Sequence, residues 1–248
     1  MLFRKMAEDP LFCEEILRVF LSDSGLKVIE SHAQHDVTNL QGRSIILDAK
    51  CVTSDGRQIN IEVQKANDED HQRRVRYNGA LITANVTDPG TRFEDIPDVC
   101  VVFISRTDFF MKGKSCYHVD RVLRETQTVV ENGFEEIYIN AKVKDDSDIS
   151  ALMDVFTKDH VYDDKKFPVT SESKRRYKET KGGQEEMCEI VKQIVNEELR
   201  EAHEELRETH EKLSSTEKER DAALAEIARL KQELAQKEKA EWVCVNLR

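Results

Sequence analysis

Two carboxylates, Asp48 and Glu62, stand where they could bind a divalent metal ion, and the amide of Gln64 lies two residues beyond Glu62. Residues 44–52 and 57–64 are β-type runs separated by a short turn, which predicts a β-hairpin. In the second run aliphatic residues alternate with polar ones, so Glu62 and Gln64 project from one face. Asp48 interrupts an aliphatic run, and a buried carboxylate is costly unless it is paired, protonated or bound to a cation. We therefore expect the chemistry to lie in this hairpin.

The length of the hairpin loop decides whether Asp48 meets Glu62. A two-residue loop of Asp55 and Gly56 would place Asp48 opposite Val63 and send Glu62 to the other face. A three-residue loop with Gly56 in the left-handed conformation would place Asp48 opposite Glu62, with their Cβ atoms about 5 Å apart. The turn residues favour the longer loop, although the sequence leaves both registers open.

The longer loop would create a site for a hard cation. Two carboxylates at that distance repel one another unless positive charge lies between them. Oxygen ligands with open positions for water are what Mg²⁺ prefers, and Mn²⁺ is the alternative. The competing interpretation is that Asp48 pairs with Lys50 or a nearby arginine and that Glu62 is an ordinary solvent-facing residue.

The residues around the hairpin resemble a known family. The pattern Leu47-Asp48, then Ile61-Glu62-Val63-Gln64, then a helix that carries Arg and Tyr, resembles the PD-(D/E)XK nuclease family transposases, also called the recombination-promoting nuclease (Rpn) family. The resemblance continues through residues 96–105, 108–110 and 136–140, and it covers about residues 1–165.

The resemblance implies an α/β fold with a restriction-endonuclease-like core, a mixed sheet flanked by helices. It also implies a Mg²⁺-dependent DNA endonuclease, with Asp48 and Glu62 as metal ligands and Gln64 as the third catalytic residue. Gln64 stands where the wider superfamily has lysine. Glutamine is neither a cation nor a base, so it could only position water or a phosphate oxygen by hydrogen bonding.

Positive charge must then come from another residue. Lys50 is one hypothesis, since it shares a face with Asp48 at a spacing of two. The helix after the hairpin is the other source, where Arg73, Arg76 and Tyr77 are the predicted DNA-binding residues. The alternative is that these arginines only solvate the helix.

The other predicted elements follow from periodicity. Asp9 and Pro10 begin a first helix, whose Glu14 and Glu15 are both candidates for the acidic residue that this superfamily often adds to the metal site. A second helix is predicted over residues 68–85, and strands over 98–105 and 136–140.

Three polar segments are interpreted as having no catalytic role. His32 and His35 are assigned to a polar loop, and Cys116 with His118 lacks a third metal ligand. The basic run at residues 173–178 is interpreted as a solvated linker.

The end of the chain is a different kind of segment. Of the 78 residues from 171 to 248, 35 are charged. A heptad repeat is present, with the d positions occupied by Leu199, Leu206, Leu213, Arg220, Ile227 and Leu234. Thr209 and Thr216 are among the weaker a positions. We expect a nuclease-like domain over residues 1–165, a linker and start of a helix over 166–190, and a dimeric α-helical coiled coil over 191–240.

Composition limits the remaining possibilities. The net charge of -11 argues against a protein that coats nucleic acid by bulk electrostatics, so any contact with DNA must be local or metal-assisted. No apolar run is long enough for a bilayer, and six cysteines without paired spacing fit a reducing cytoplasm. The rival prediction is a catalytically inactive DNA-binding or assembly protein that keeps the fold and acts through its coiled coil.

Overall fold

The chain divides into two compact units, Met1–Cys188 and Glu189–Arg248. The computed structural model describes residues 2–39, 42–64 and 71–188 of the first unit. In the second unit it describes a scattered set, namely residues 203, 206, 207, 209, 210, 212–221, 223, 224, 227 and 229.

Two helices open the chain. Helix α2 (Pro10–Phe20) begins as predicted, because the Asp9 side chain accepts a hydrogen bond from the Leu11 N–H at 2.9 Å and Pro10 occupies the first turn. A five-residue helix, α1 (Leu2–Met6), precedes it and was not predicted.

A six-stranded sheet forms the centre of the first unit. Its strands are β1 (Val28–Val37), β2 (Ile45–Thr53), β3 (Gln58–Gln64), β4 (Val99–Ser105), β5 (Cys116–Val119) and β8 (Phe134–Asn140), in the spatial order β1-β2-β3-β4-β8-β5. Strands β3, β4 and β8 are parallel, and the other neighbours are antiparallel. Strands β6 (Val122–Leu123) and β7 (Thr128–Val129) form a separate short ladder. The predicted mixed sheet is confirmed.

Helices α3 (His71–Val86), α4 (Asp148–Thr157) and α5 (Pro168–Glu179) also flank the sheet, and a 3₁₀ turn spans Phe93–Asp95. Helix α3 connects two parallel strands, as a β-α-β crossover requires. Its predicted first residues lie in segment 65–70, outside the described residues. The helix approaches the sheet closely at Gly79, where a Cβ atom would come within 2.1 Å of the Phe134 ring.

Each face of the sheet has its own core. Strand β4 is buried along its whole length, which explains its continuous apolar sequence. Cys100, Val102 and Ile104 face the core formed with α2, α4 and α5. Val101 and Phe103 face the core formed with α3.

The segment that contains His32 and His35 is a strand, so its assignment to a loop is wrong. Both residues lie in β1, which pairs with β2 along most of its length at the edge of the sheet. An edge strand with one solvated face tolerates alternating polar residues, and these concealed the strand in the sequence. His32 and Lys50 are direct partners across the ladder.

The basic run at residues 173–178 is part of α5, so its interpretation as a solvated linker is wrong. The Lys174 side chain is buried, and its Nζ donates to the carbonyl oxygens of Val155, Lys158 and Val161 at 2.7, 2.5 and 2.9 Å. Helix α5 ends before Thr180, which is extended, and residues 181–188 are again helical.

The described residues of the second unit are helical, as the heptad repeat predicts. Three of the apolar d residues, Leu206, Leu213 and Ile227, are 64%, 55% and 49% exposed. Leu199 and Leu234 lie outside the described residues, so the coiled coil stays a prediction. Across the described part of the chain, no helix combines the length and apolar character needed to cross a bilayer.

Candidate active site

The hairpin adopts the register that brings Asp48 to Glu62. Ala49 pairs with Ile61 and Lys50 with Asn60, so Asp48 and Glu62 are the next residues on the two strands. The loop is the longer of the two alternatives, because Gly56 has a φ of 88° in the left-handed region. Both carboxylates are buried, with Asp48 7% and Glu62 3% exposed.

Strand β2 is distorted at Asp48. Leu47 and Ala49 are two residues apart and should share a face, yet they belong to cores on opposite faces of the sheet. On the neighbouring strand, Gln34 has a φ of 51° between residues that pair with Leu47 and Ala49. Such irregularities redirect side chains and often occur beside active sites.

Both oxygens of Asp48 have partners. Arg4 donates to Oδ1 from Nε at 2.8 Å and from Nη2 at 2.7 Å. The backbone N–H of Val63 donates to Oδ2 at 2.8 Å, so the Asp48 side chain replaces a backbone acceptor at the end of the ladder. Nothing in the sequence indicates the contact with Arg4, because the two residues are far apart in the chain.

The burial of Glu62 disfavours the ionised form of its carboxyl group. Burial and the negative charge of Asp48 raise the pKa of Glu62 from 4.5 to about 7. Three interactions oppose that rise: Asn60 Nδ2 donates to Oε1 at 3.1 Å, Arg74 Nη2 lies 3.5 Å from Oε2, and the backbone of Asp48 hydrogen-bonds the carboxylate. A cation beside Glu62 would favour the carboxylate further.

Arg74 of α3 contacts both Glu62 and Gln64. Its Nη1 donates to Gln64 Oε1 at 3.2 Å while Nη2 faces Glu62. Its side chain is 46% exposed, so the guanidinium lies between the buried carboxylate and solvent. Gln64 therefore has a cation bound to its amide, which the sequence alone could not assign among the arginines of α3.

The predicted DNA-binding residues occupy other parts of α3. Arg73 and Arg76 are exposed. Tyr77 is half-buried, and its hydroxyl donates to the Arg43 carbonyl oxygen and accepts from Asn39 Nδ2. The structure thus uses Tyr77 to hold the segment between β1 and β2, and its role toward DNA stays a prediction.

Neither acidic candidate of α2 is directed to the hairpin site. Glu15 accepts hydrogen bonds from the N–H groups of Val169 at 3.0 Å and Thr170 at 2.7 Å, at the N-terminus of α5. Glu14 accepts from the Val28 N–H at 3.0 Å and pairs with Arg18 at 2.6 Å. Both carboxylates therefore have structural partners.

The remaining polar candidates do not form metal sites in the described part of the chain. Lys50 is half-buried opposite Asn60, and its charge adds to burial in lowering the pKa of His35. Cys116 Sγ lies 3.5 Å from His118 Nε2. Among the described residues, no group of three or more His, Cys, Asp or Glu side chains is placed to hold a metal ion.

The oxygen donors at the hairpin nevertheless fit a hard divalent cation. Asp48 and Glu62 supply carboxylates, and the buried Oδ1 of Asn60 has no hydrogen-bond partner in the part of the chain that the structure describes. No soft sulfur ligand and no imidazole takes part. Mg²⁺ commonly binds one or two carboxylates and completes its shell with water and substrate phosphate, so two carboxylates suffice.

The mixed six-stranded sheet flanked by helices fits a restriction-endonuclease-like α/β core. A family model described as PD-(D/E)XK nuclease family transposase matches residues 16–162. The chain belongs to this family. A search of the curated proteins found no significant match.

Proposed function

We propose that this protein is a Mg²⁺-dependent DNA endonuclease, with Mn²⁺ as an alternative metal, and that Asp48 and Glu62 bind the metal. The observation that carries the proposal is the closeness of two buried carboxylates on neighbouring strands, since Asp48 acts electrostatically on Glu62, in a chain of a nuclease family. The family name also points to recombination or transposition of mobile elements as the biological setting.

The reaction is hydrolysis of a phosphodiester, in which water attacks phosphorus and a P–O bond to the leaving sugar oxygen breaks. A divalent cation, when bound, supplies a water of lowered pKa and offsets charge that develops on the phosphate. Asp48 and Glu62 supply the anionic oxygens that such a cation requires.

Gln64 and Arg74 would act on the phosphate and the attacking water. The Gln64 amide orients water or a phosphate oxygen by hydrogen bonding. Arg74 holds the Gln64 oxygen at 3.2 Å and supplies a positive charge next to a neutral side chain. Guanidinium groups bind phosphate oxygens through paired N–H donors, which suits this position at the mouth of the site.

The test is cleavage of supercoiled plasmid by the purified protein. We expect nicked or linear products with Mg²⁺ and none with EDTA. Asp48→Asn and Glu62→Gln should each lower the rate at least about 100-fold, since loss of a metal ligand removes several kcal/mol of transition-state stabilisation. Glu30→Gln, a charge loss on the exposed face of β1, is the matched control and should cleave like wild type.

Two results would oppose the proposal. Cleavage that persists in both Asp48→Asn and Glu62→Gln would place the catalytic centre elsewhere. A wild-type protein that is folded, binds DNA and is inert with Mg²⁺ and Mn²⁺ would favour the non-catalytic DNA-binding or assembly role.

The protein is further proposed to act as a homodimer joined by residues 191–240. Exposure of Leu206, Leu213 and Ile227 supports this, because apolar side chains at heptad spacing lose exposed area when two helices pair. A dimer would present two active sites to the two strands of DNA.

The five described cysteines are free thiols, which supports a reducing cytoplasm as the location.

A further inference from the structure

We propose that Arg4 competes with the divalent cation for Asp48 and, once displaced, binds a phosphate of the DNA. The proposal rests on the proposed function, since it takes Asp48 to be a metal ligand. It gives α1 a part in substrate binding.

Arg4 occupies the oxygens that a cation would use. A carboxylate offers about four lone-pair positions to hydrogen-bond donors or cations. Arg4 takes two of them through Nε and Nη2, both on Oδ1, and the Val63 N–H takes one on Oδ2. One position is left. Because guanidinium and a divalent cation also repel one another, Arg4 opposes metal binding as long as it stays on Asp48.

Helix α1 holds Arg4 in place by packing. Phe3 and Met6 are 9% and 1% exposed, and the Phe3 ring lies 5.8 Å from that of Phe12 and 6.3 Å from that of Phe156. The helix backbone is therefore anchored in the core while the Arg4 side chain extends to Asp48.

The exposure of the pair gives Arg4 a second possible partner. The Arg4 side chain is 38% exposed and the Asp48 side chain 10%, so the guanidinium separates the carboxylate from solvent. A phosphate that approaches from solvent meets the guanidinium before it meets Asp48. An exchange of Asp48 for phosphate keeps the charge of Arg4 neutralised, so DNA and metal should strengthen each other's binding.

The alternative is that Arg4 only fastens α1 to the sheet. Its neighbour Lys5 has a purely structural role of this kind away from the sheet, since Nζ contacts Glu8 at 2.6 Å and Glu186 at 3.0 Å. Lys5 is thus a matched control, because it has the same charge and the same helix but no contact with Asp48.

The first test measures Mn²⁺ binding to the DNA-free protein. The electron paramagnetic resonance signal of free Mn²⁺ reports how much of the ion remains unbound. Arg4→Met should bind Mn²⁺ about tenfold more tightly than wild type, the effect expected when one competing charge-assisted contact is removed. Lys5→Met should bind like wild type, and Asp48→Asn should lose the site. Arg4→Gln, with a thermal unfolding curve for every variant, guards against a folding defect in Arg4→Met.

The outcomes separate the two proposals. If wild type shows Mn²⁺ binding that depends on Asp48, and Arg4→Met and Arg4→Gln bind no more tightly, competition by Arg4 is refuted while the metal site stands. If Mn²⁺ binding does not depend on Asp48 in wild type or in the Arg4 variants, the proposed function itself fails.

The phosphate contact has its own readout, the salt dependence of DNA affinity. Each phosphate contact contributes a slope of about 0.9 to a plot of log affinity against log salt. For a labelled duplex that stays uncut in Ca²⁺, Arg4→Met should reduce the slope by about that amount, and it should change nothing in EDTA, where Arg4 remains on Asp48. An equal slope for Arg4→Met and wild type in Ca²⁺ would overturn the phosphate contact.

Discussion

Asp48 and Glu62 are the next residues of β2 and β3 beyond the last pair of their ladder, Ala49 and Ile61, and a different arginine contacts each of them. Arg4 comes from α1 on one side, and Arg74 comes from α3, which packs on the other core. Two guanidinium groups from separate helices therefore pair with the two buried carboxylates.

The first prediction concerns the pH dependence of stability in EDTA. The pKa of Glu62 is about 7 in the folded protein, whereas the ordinary value of 4.5 applies to the unfolded chain. The folded state therefore binds the Glu62 proton more tightly than the unfolded state does. The contribution of Glu62 to stability is thus fully present below pH 4.5 and is lost as the pH rises through about 7, by on the order of 3 kcal/mol.

Urea unfolding at a series of pH values measures this contribution as the difference between wild type and Glu62→Gln. The difference should change across this pH interval and be constant above it. Addition of Mg²⁺ should stabilise wild type more at pH 8 than at pH 5, since only the ionised carboxylate binds the cation. A difference that is flat with pH would show that Glu62 titrates normally.

The second prediction is that the guanidinium of Arg74 supplies the positive charge beside Glu62 and Gln64. Arg74→Gln should lower the cleavage rate about 10- to 100-fold and move the acidic limb of the pH–rate profile upward, because Glu62 loses the charge that favours its ionised form. Arg74→Lys should restore part of the rate.

Arg76→Gln is the control on the same helix, since Arg76 is exposed and is not among the residues that shift the pKa of Glu62. It should weaken DNA binding at most, with the pH–rate profile unchanged. If Arg74→Gln also left that profile unchanged, Arg74 would act only as a surface charge.

The third prediction concerns the buried amine of Lys174, whose pKa is lowered by burial. Lys174→Met should destabilise the protein by about 2–4 kcal/mol, because three carbonyl oxygens at the end of α4 and in the following loop lose their donor. Lys178→Met removes an exposed ion pair with Asp159 and should cost less than about 1 kcal/mol. Comparable losses of unfolding free energy in urea for both variants would contradict this account of Lys174.

The fourth prediction separates structure from catalysis at Glu15. Glu15→Gln should lower stability by about 1–2 kcal/mol, since the N-terminus of α5 loses a charged acceptor. Its cleavage rate should equal that of wild type below the unfolding temperature. A large loss of rate in a folded Glu15→Gln protein would return this residue to the metal site.

The fifth prediction tests the dimer. Leu213→Glu places a charge at a d position of the heptad and should convert a dimer to a monomer in sedimentation equilibrium. Lys218→Glu changes the charge on the outer face of the same helix and should leave the dimer intact. A wild-type protein that sediments as a monomer would remove the coiled coil from the account.

Local sequence signals predicted the hairpin and α2 well. Asp55 and Gly56 identify a turn, and Asp9 with Pro10 identifies a helix start, because each conformation depends on residues within a few positions. The register of Asp48 needed the structure, since it depends on whether Gly56 is left-handed.

Contacts between distant segments could not be predicted. Arg4 meets Asp48 through the packing of α1, and Arg74 differs from Arg73 and Arg76 only in the rotation of α3 about its axis. Strand β1 was missed because an edge strand shows alternating polar residues that also suit a loop.

The central claim is that Asp48 and Glu62 together hold a divalent cation, and anomalous diffraction from crystals grown with Mn²⁺ tests it most directly. The account predicts an anomalous peak about 2.0–2.3 Å from a carboxylate oxygen of each residue, with the Arg4 guanidinium withdrawn from Asp48. Crystals of Asp48→Asn should lack the peak. A Mn²⁺ peak elsewhere on the protein, with Asp48 and Glu62 still bound only to their arginines, would contradict the account.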